Sequence, residues 1–275
     1  MKRIVYILIL CLGCSQLSAQ TYDELVTRAM DAVEKDSLRQ AEGLFKDALR
    51  LEPANMRNAL LFSNLGTIQR RMGKNKEALE SYSLALNRTP HSIPMLLNRA
   101  SLYLDMNYPE KAYVDYCDII DLDPQNAEAY QFRAYIYMTK RQYQDAKVDY
   151  QKLLDVVPGD QTARIGMAIV NQKLHRYHES LEEFNRLIVD YPKDASLLKA
   201  RAELEVEMNT PDLALLDLES AASLNPNDAE IYVMCGDIYL SKGLKREAYT
   251  AFEKAIELGY PRPELQDKLK LSKKR

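Results

Sequence analysis

Tryptophan is absent from this 275-residue chain, and histidine, glycine and cysteine are scarce. The three histidines, His91, His175 and His178, make neither a metalloprotease pair on one helix face nor a cluster with cysteine, so no metal is expected. Nine scattered glycines cannot build a phosphate-cradling loop or a strained nucleophile turn. Carboxylates are plentiful but fall on faces that read as solvated. The chain is therefore expected to be no enzyme, with no catalytic residue and no cofactor. Basic residues form no run in the body of the chain, and the net charge is −3. That balance suits no polyphosphate backbone, so nucleic acid is excluded as a partner.

Long apolar runs are missing too, except at the start. Met1-Lys2-Arg3 precedes an almost unbroken apolar stretch from Ile4 to Leu12, and Leu17-Ser18-Ala19 offers a small residue before Gln20. The pattern is that of a secretory signal peptide over 1–19, too short to span a bilayer. Cleavage after Ala19 would remove Lys2 and Arg3 and take the net charge from −3 to −5. Leu12-Gly13-Cys14 also resembles the end of a bacterial lipoprotein signal with Cys14 as the lipidated residue, although Cys11 stands where that signal has an aliphatic one. Either product is exported. The periplasm is the expected location and a membrane-anchored lipoprotein the alternative. Cys117 and Cys235, the cysteines of the body, lie too far apart in a repeat stack for a disulfide and are expected to serve as small buried apolar groups.

What is abundant is regularity. Pro53, Pro90, Pro124, Pro158, Pro192 and Pro226 are separated by 37 residues and then by 34 four times over, the period of a stacked helix–turn–helix unit. With each proline at position 32, position 8 reads Ala29, Gly66, Ala100, Ala134, Ala168, Ala202 and Gly236. Position 20 reads Ala41, Ala78, Ala112, Ala146, Ser180, Ala214 and Ala248, and position 24 reads Phe45, Tyr82, Tyr116, Tyr150, Phe184, Leu218 and Phe252. Small residues let helices approach, and the aromatic fills the space between them. Position 15 reads Asp36, Gly73, Asn107, Arg141, His175, Asn209 and Gly243; all but Arg141 are types that tolerate the left-handed conformation closing a helix.

The pattern resembles the tetratricopeptide repeat, over units starting near 22, 59, 93, 127, 161, 195 and 229 and ending at 261. The resemblance implies an all-α, right-handed superhelical solenoid of about seven repeats, followed over 262–275 by a short capping helix and a basic tail. Departures are the missing Trp, which leaves only Phe62, Tyr130 and Tyr232 as aromatics at position 4, and unit six, with Glu205 at position 11 and Leu218 at 24. Three extra residues near Met56 to Asn58 add a turn of helix or a longer loop. Independently of the family, Arg at position 7 and Asp at position 23 occur together in three units. They predict structural ion pairs Arg99–Asp115, Arg133–Asp149 and Arg201–Asp217 between the two helices of a unit.

The family binds ligands in the concave groove lined by first helices. By resemblance, this places Arg70, Arg71, Leu97, Gln131, Tyr135, Met138, Ile165, Ile169, Lys173, Lys199, Glu203 and Asp237 on the partner-binding groove, basic at one end, apolar in the middle and mainly acidic at the other. The implied function is a non-enzymatic scaffold or adaptor of the bacterial envelope, holding an extended or helical segment of another protein. The family's clamp for a chaperone carboxylate is missing, because Lys199 at position 5 is followed by Glu203 at position 9. A lipid-anchored structural subunit of an envelope complex is the alternative, and a cell-wall-acting hydrolase a third reading. Membrane contact is expected only through lipidated Cys14 or the basic tail of Lys268, Lys270, Lys273, Lys274 and Arg275.

Overall fold

A computed structural model describes residues 21–273; the signal-peptide and lipidation expectations, with Lys274 and Arg275 of the tail, lie outside the described residues. The described residues form helices without strands, in two compact units that divide between Asp115 and Tyr116. The first unit holds α1 (Tyr22–Glu34), α2 (Leu38–Leu51), α3 (Asn58–Arg71), α4 (Asn75–Leu86), α5 (Ile93–Asp105) and the beginning of α6 (Pro109–Leu122). The second holds the rest of α6, then α7 (Ala127–Thr139), α8 (Tyr143–Val156), α9 (Gln161–Lys173), α10 (Tyr177–Asp190), α11 (Ala195–Glu207), α12 (Pro211–Leu224), α13 (Ala229–Ser241), α14 (Lys245–Glu257) and the cap α15 (Arg262–Lys273). Each unit is built of helical hairpins, so the fold is an all-α helical-repeat fold.

Every hairpin closes in the same way. Asp36, Gly73, Asn107, Arg141, His175, Asn209 and Gly243 all have positive φ, between 54° and 74°. Arg141, the one residue type not suited to it, is held at φ 57° like the others. The reason is the hydrogen bond that follows. The N–H at position 16 donates to the carbonyl at position 11 in each repeat, as from Gln142 to Tyr137 at 2.8 Å and from Leu244 to Tyr239 at 2.9 Å. This ring closes only when the residue between is left-handed. The next first helix is opened by a polar cap. Asn126, Asp160, Asp194 and Asp228 accept from backbone N–H groups in the first turns of α7, α9, α11 and α13. Thr21 and Glu24 form a reciprocal capping box at α1.

Inside a hairpin the position-24 side chain lies on the position-8 residue. A Cβ added to Gly236 would sit 2.4 Å from Phe252, so the small residue is a packing requirement rather than a conformational one. Phe45, Tyr82, Phe184 and Phe252 are almost completely buried. The three extra residues of the first repeat form a longer loop between α2 and α3, pinned by buried Asn58. Its amide donates to the carbonyls of Glu52 and Pro53, and its Oδ1 accepts from the Tyr22 hydroxyl at 2.9 Å.

Arginine at position 7 ties hairpins together. Arg133 Nε and Nη2 donate to Asp149 at 2.8 Å each, Arg201 to Asp217 at 2.7 and 2.6 Å, and Arg99 to Asp115 at 2.9 and 2.7 Å. The third edge of the guanidinium reaches the preceding second helix. Arg133 Nη1 donates to Cys117 Sγ at 3.4 Å, and Arg201 Nη1 to Asn185 Oδ1 at 2.7 Å. Cys117 is thus a half-buried hydrogen-bond acceptor and not a purely apolar filler. Cys235 is also half-buried, and burial pushes its thiol up to about 11. Unit five, with Met167 at position 7, uses Arg164 instead, which pairs with Glu183 and Asp190 at 2.6 Å each. Between the first two hairpins the partner is a carboxylate. Burial alone would raise Glu42, but hydrogen bonds from Lys46, Lys74 and Gln69 outweigh it and hold the group at about 2.

Glu205 breaks the pattern. It is 7% exposed, and its Oε2 has no hydrogen-bond partner. Burial and then the nearby Asp217 push its carboxyl from 4.5 up to about 7, against the pull of Arg201.

Two measurements follow from this packing. Removing the guanidinium in Arg133→Ala strands buried Asp149 and should cost roughly 3–5 kcal/mol in chemical denaturation; an unchanged midpoint would refute the tie. Glu205 favours the folded state while protonated, a contribution present below 4.5 and lost as pH rises through about 7. Thermal midpoints of the natural protein should therefore fall between about pH 5 and about pH 8 more than those of Glu205→Gln. Parallel pH profiles for the two would show that Glu205 titrates normally.

Candidate functional site

The residues implied as groove-lining lie on first helices, and the two units are taken separately. In the first unit, half-buried Arg70 donates from Nη2 to Ser101 Oγ at 2.9 Å and to the Asp105 carboxylate at 2.5 Å. Arg71 donates to Asp36 at 2.8 Å. Both pairs link neighbouring repeats, so the expected basic end is neutralised from within the chain. Leu97 is half-buried on α5.

In the second unit, α7, α9, α11 and α13 bring Tyr135, Ile169, Glu203 and Asp237 to the same position of successive repeats. Tyr135 is 55% exposed. Gln131 and Met138 on the same helix are half-buried, with Met138 packed against the core of Tyr130, Ala134 and Tyr150. Ile165 and Ile169 are drawn inward, packed against the core of Ala168, Phe184, Leu187, Leu197 and Leu204. They offer only an edge to a ligand, because their own hairpin and the following one pack against them.

The charges here are also largely spoken for. Lys173 Nζ lies 3.3 Å from Glu207. Lys199 Nζ lies 2.9 Å from Asp228 and 2.7 Å from Glu230. Burial alone would lower the Lys199 ammonium, but the hydrogen bonds it donates to Glu230 and Asp228 prevail and hold it above its ordinary value. Asp237 is met at 2.6 Å by Lys268 of α15. Glu203 is exposed and makes no ion pair among the described residues. In the second unit the apolar and acidic positions form a face whose lysines, Lys173 and Lys199, are already paired.

Val206 belongs to this face and was not anticipated. It sits at position 12 of α11 and is 45% exposed. The acids that neutralise the arginines and lysines were not anticipated either. A spacing rule would have found several, since Lys173 and Glu207 are 34 residues apart and Arg70 and Asp105 are 35 apart. Pairing across repeats needs about one period.

A separate cleft of about 620 Å³ lies between α12, α13 and α14, with Leu216, Glu219, Cys235, Tyr239, Arg246 and Lys254 among its walls. It coincides with the unit in which Cys235 and Ala251 stand where units three, four and six have the paired arginine and aspartate. His175 Nδ1 is 2.8 Å from the Tyr177 hydroxyl at a helix stop. Among the described residues no group of His, Cys, Asp and Glu could hold a metal ion, and no helix is long and apolar enough to cross a membrane.

The tetratricopeptide repeat family model matches residues 93–126, 127–159 and 229–258, which are the third, fourth and seventh units. A 69-residue stretch is 40% identical to part of the UDP-N-acetylglucosamine--peptide N-acetylglucosaminyltransferase of Giardia intestinalis; the match covers 25% of this chain and 5% of that enzyme. The structure of YrrB, described as a tetratricopeptide repeat protein with an unusual peptide-binding site, shares the fold at 21% identity and a TM-score of 0.53, over 71% of this chain and all of that one. A tetratricopeptide repeat protein of Parabacteroides merdae is 38% identical, with a TM-score of 0.75, over 93% of this chain and 100% of its own. With that identity across the full length of a solved relative, this chain belongs to the tetratricopeptide repeat family.

Proposed function

We propose that this protein is an exported scaffold or adaptor that holds a segment of another protein against its first helices. Tetratricopeptide repeat proteins mediate protein–protein interactions, and some bind peptides. The observation that carries the reading here is the exposure of Tyr135 and Val206 on first helices whose cations are already paired internally. An aromatic and an aliphatic side chain left in water on that face are anchors of the kind that peptide grooves use. YrrB, with the same fold, is described as having a peptide-binding site. Export rests on the cationic start, apolar run and small residues of 1–19. Envelope placement, periplasmic or lipid-anchored through Cys14, is part of the same proposal.

Crosslinking and affinity capture from envelope fractions should yield a partner with the natural protein and lose it with Tyr135→Ala/Val206→Asp, both solvent-facing changes. Retention by both proteins would move the interface off the first helices. Intact mass separates the two products at the N-terminus. A chain beginning at Gln20 is expected; one beginning at a diacylglyceryl-modified Cys14 would make the protein a lipoprotein, and an uncleaved Met1 would end the export reading.

A further inference from the structure

We infer that the segment bound by the second unit carries a lysine or arginine set beside aliphatic side chains, with the cation facing Glu203 and the aliphatic residues facing Tyr135 and Val206. The inference rests on the groove reading above and adds the chemistry of the partner.

Charge is what decides it. By residue type, the face formed by α7, α9, α11 and α13 holds Lys173 and Lys199 as well as Glu128, Glu203, Glu207, Glu230 and Asp237. A partner acid would have to compete for those lysines. Lys173 is held by Glu207, and Lys199, its side chain 18% exposed, by Asp228 and Glu230 together. Attracting a carboxylate would mean breaking pairs that the chain supplies at no cost in association entropy. Asp237 is neutralised in turn by Lys268. Glu128 and Glu203 are exposed and have no ion-pair partner among the described residues. The field offered to a ligand is therefore negative, and opposite charge on the ligand steers encounter and sets register.

Apolar side chains are exposed on the same set of helices. Glu203 lies on α11 one turn from Val206, and Tyr135 shares its repeat position on α7. A ligand with a cation alone would leave Tyr135 and Val206 wet, and one with aliphatic groups alone would leave Glu203 without an ion. An acidic segment would set like charge against Glu203. The occupant that fits is a basic–aliphatic peptide segment of another protein.

The test is panning of a random 16-residue phage-displayed peptide library on the whole tagged protein, in parallel with Glu203→Lys and Tyr135→Ala. The natural protein should enrich sequences in which lysine or arginine adjoins leucine, isoleucine or valine. Synthetic versions should lose at least about tenfold in affinity on Glu203→Lys, by fluorescence anisotropy at low salt. Panning on Glu203→Lys should reverse the preference toward aspartate and glutamate. Peptides that lose affinity on Tyr135→Ala but show no basic bias, or are indifferent to Glu203→Lys, would overturn this inference and leave the groove reading standing. Peptides indifferent to both changes, or no enrichment at all, would overturn the groove reading itself.

Discussion

The hairpin depends on one residue in each repeat that must stop a helix in a left-handed conformation, so that the N–H one position later can return to the carbonyl at position 11. If that hydrogen bond did not form, the first helix would run on and its partner would not fold back at the angle that puts the position-24 side chain on position 8. Asp36, Asn107 and Asn209 adopt the conformation readily; Arg141 does so only because the surrounding packing enforces it. The small residue at position 8 is a consequence of the same closure. Once the helices are held this close, Gly236 has no room for a Cβ beneath Phe252.

Polar groups then join one hairpin to the next. Arg133 and Arg201 each use three N–H groups, two on an aspartate of their own hairpin and one on the hairpin before. A guanidinium is suited to this because its donors are fixed in one plane and cannot lose the charge. Where arginine is absent the furrow is treated in different ways: Arg164 enters from position 4, Glu42 draws in Lys74, and beside Cys235 a cleft remains. Glu205, buried where three other repeats put tyrosine, is the least comfortable member of this layer.

Outward-facing charge obeys a different logic. Exposed ion pairs contribute little to stability, roughly 0–1 kcal/mol each, yet they settle what a partner can meet. Arg70 and Arg71 in the first unit, and Lys173 and Lys199 in the second, are answered by acids about one repeat away, so in the second unit a face that counts as mixed in composition presents itself as acidic and apolar. What the proposed face can hold depends on which side chains are left without an internal partner, and those include Tyr135, Val206 and Glu203.

Much of the fold was legible beforehand because its determinants recur at fixed spacing. The proline ladder marks the period, and the small–aromatic pairing of positions 8 and 24, the stop residues at position 15 and the Arg99–Asp115, Arg133–Asp149 and Arg201–Asp217 pairs each lie within one repeat. Local chain geometry there leaves few choices. The proposed binding face was legible only as a set of positions. Whether Ile169 faced water or a core, whether Lys199 was available, and that Cys117 would accept a hydrogen bond depended on neighbours one repeat away. By itself, then, the sequence determined the hairpin, its period and its internal ties, since these are interactions of residues about 16 apart on two helices joined by a short turn. The tertiary structure alone decided the character of the surface, since burial and charge pairing there are set by the stacking of one repeat on the next.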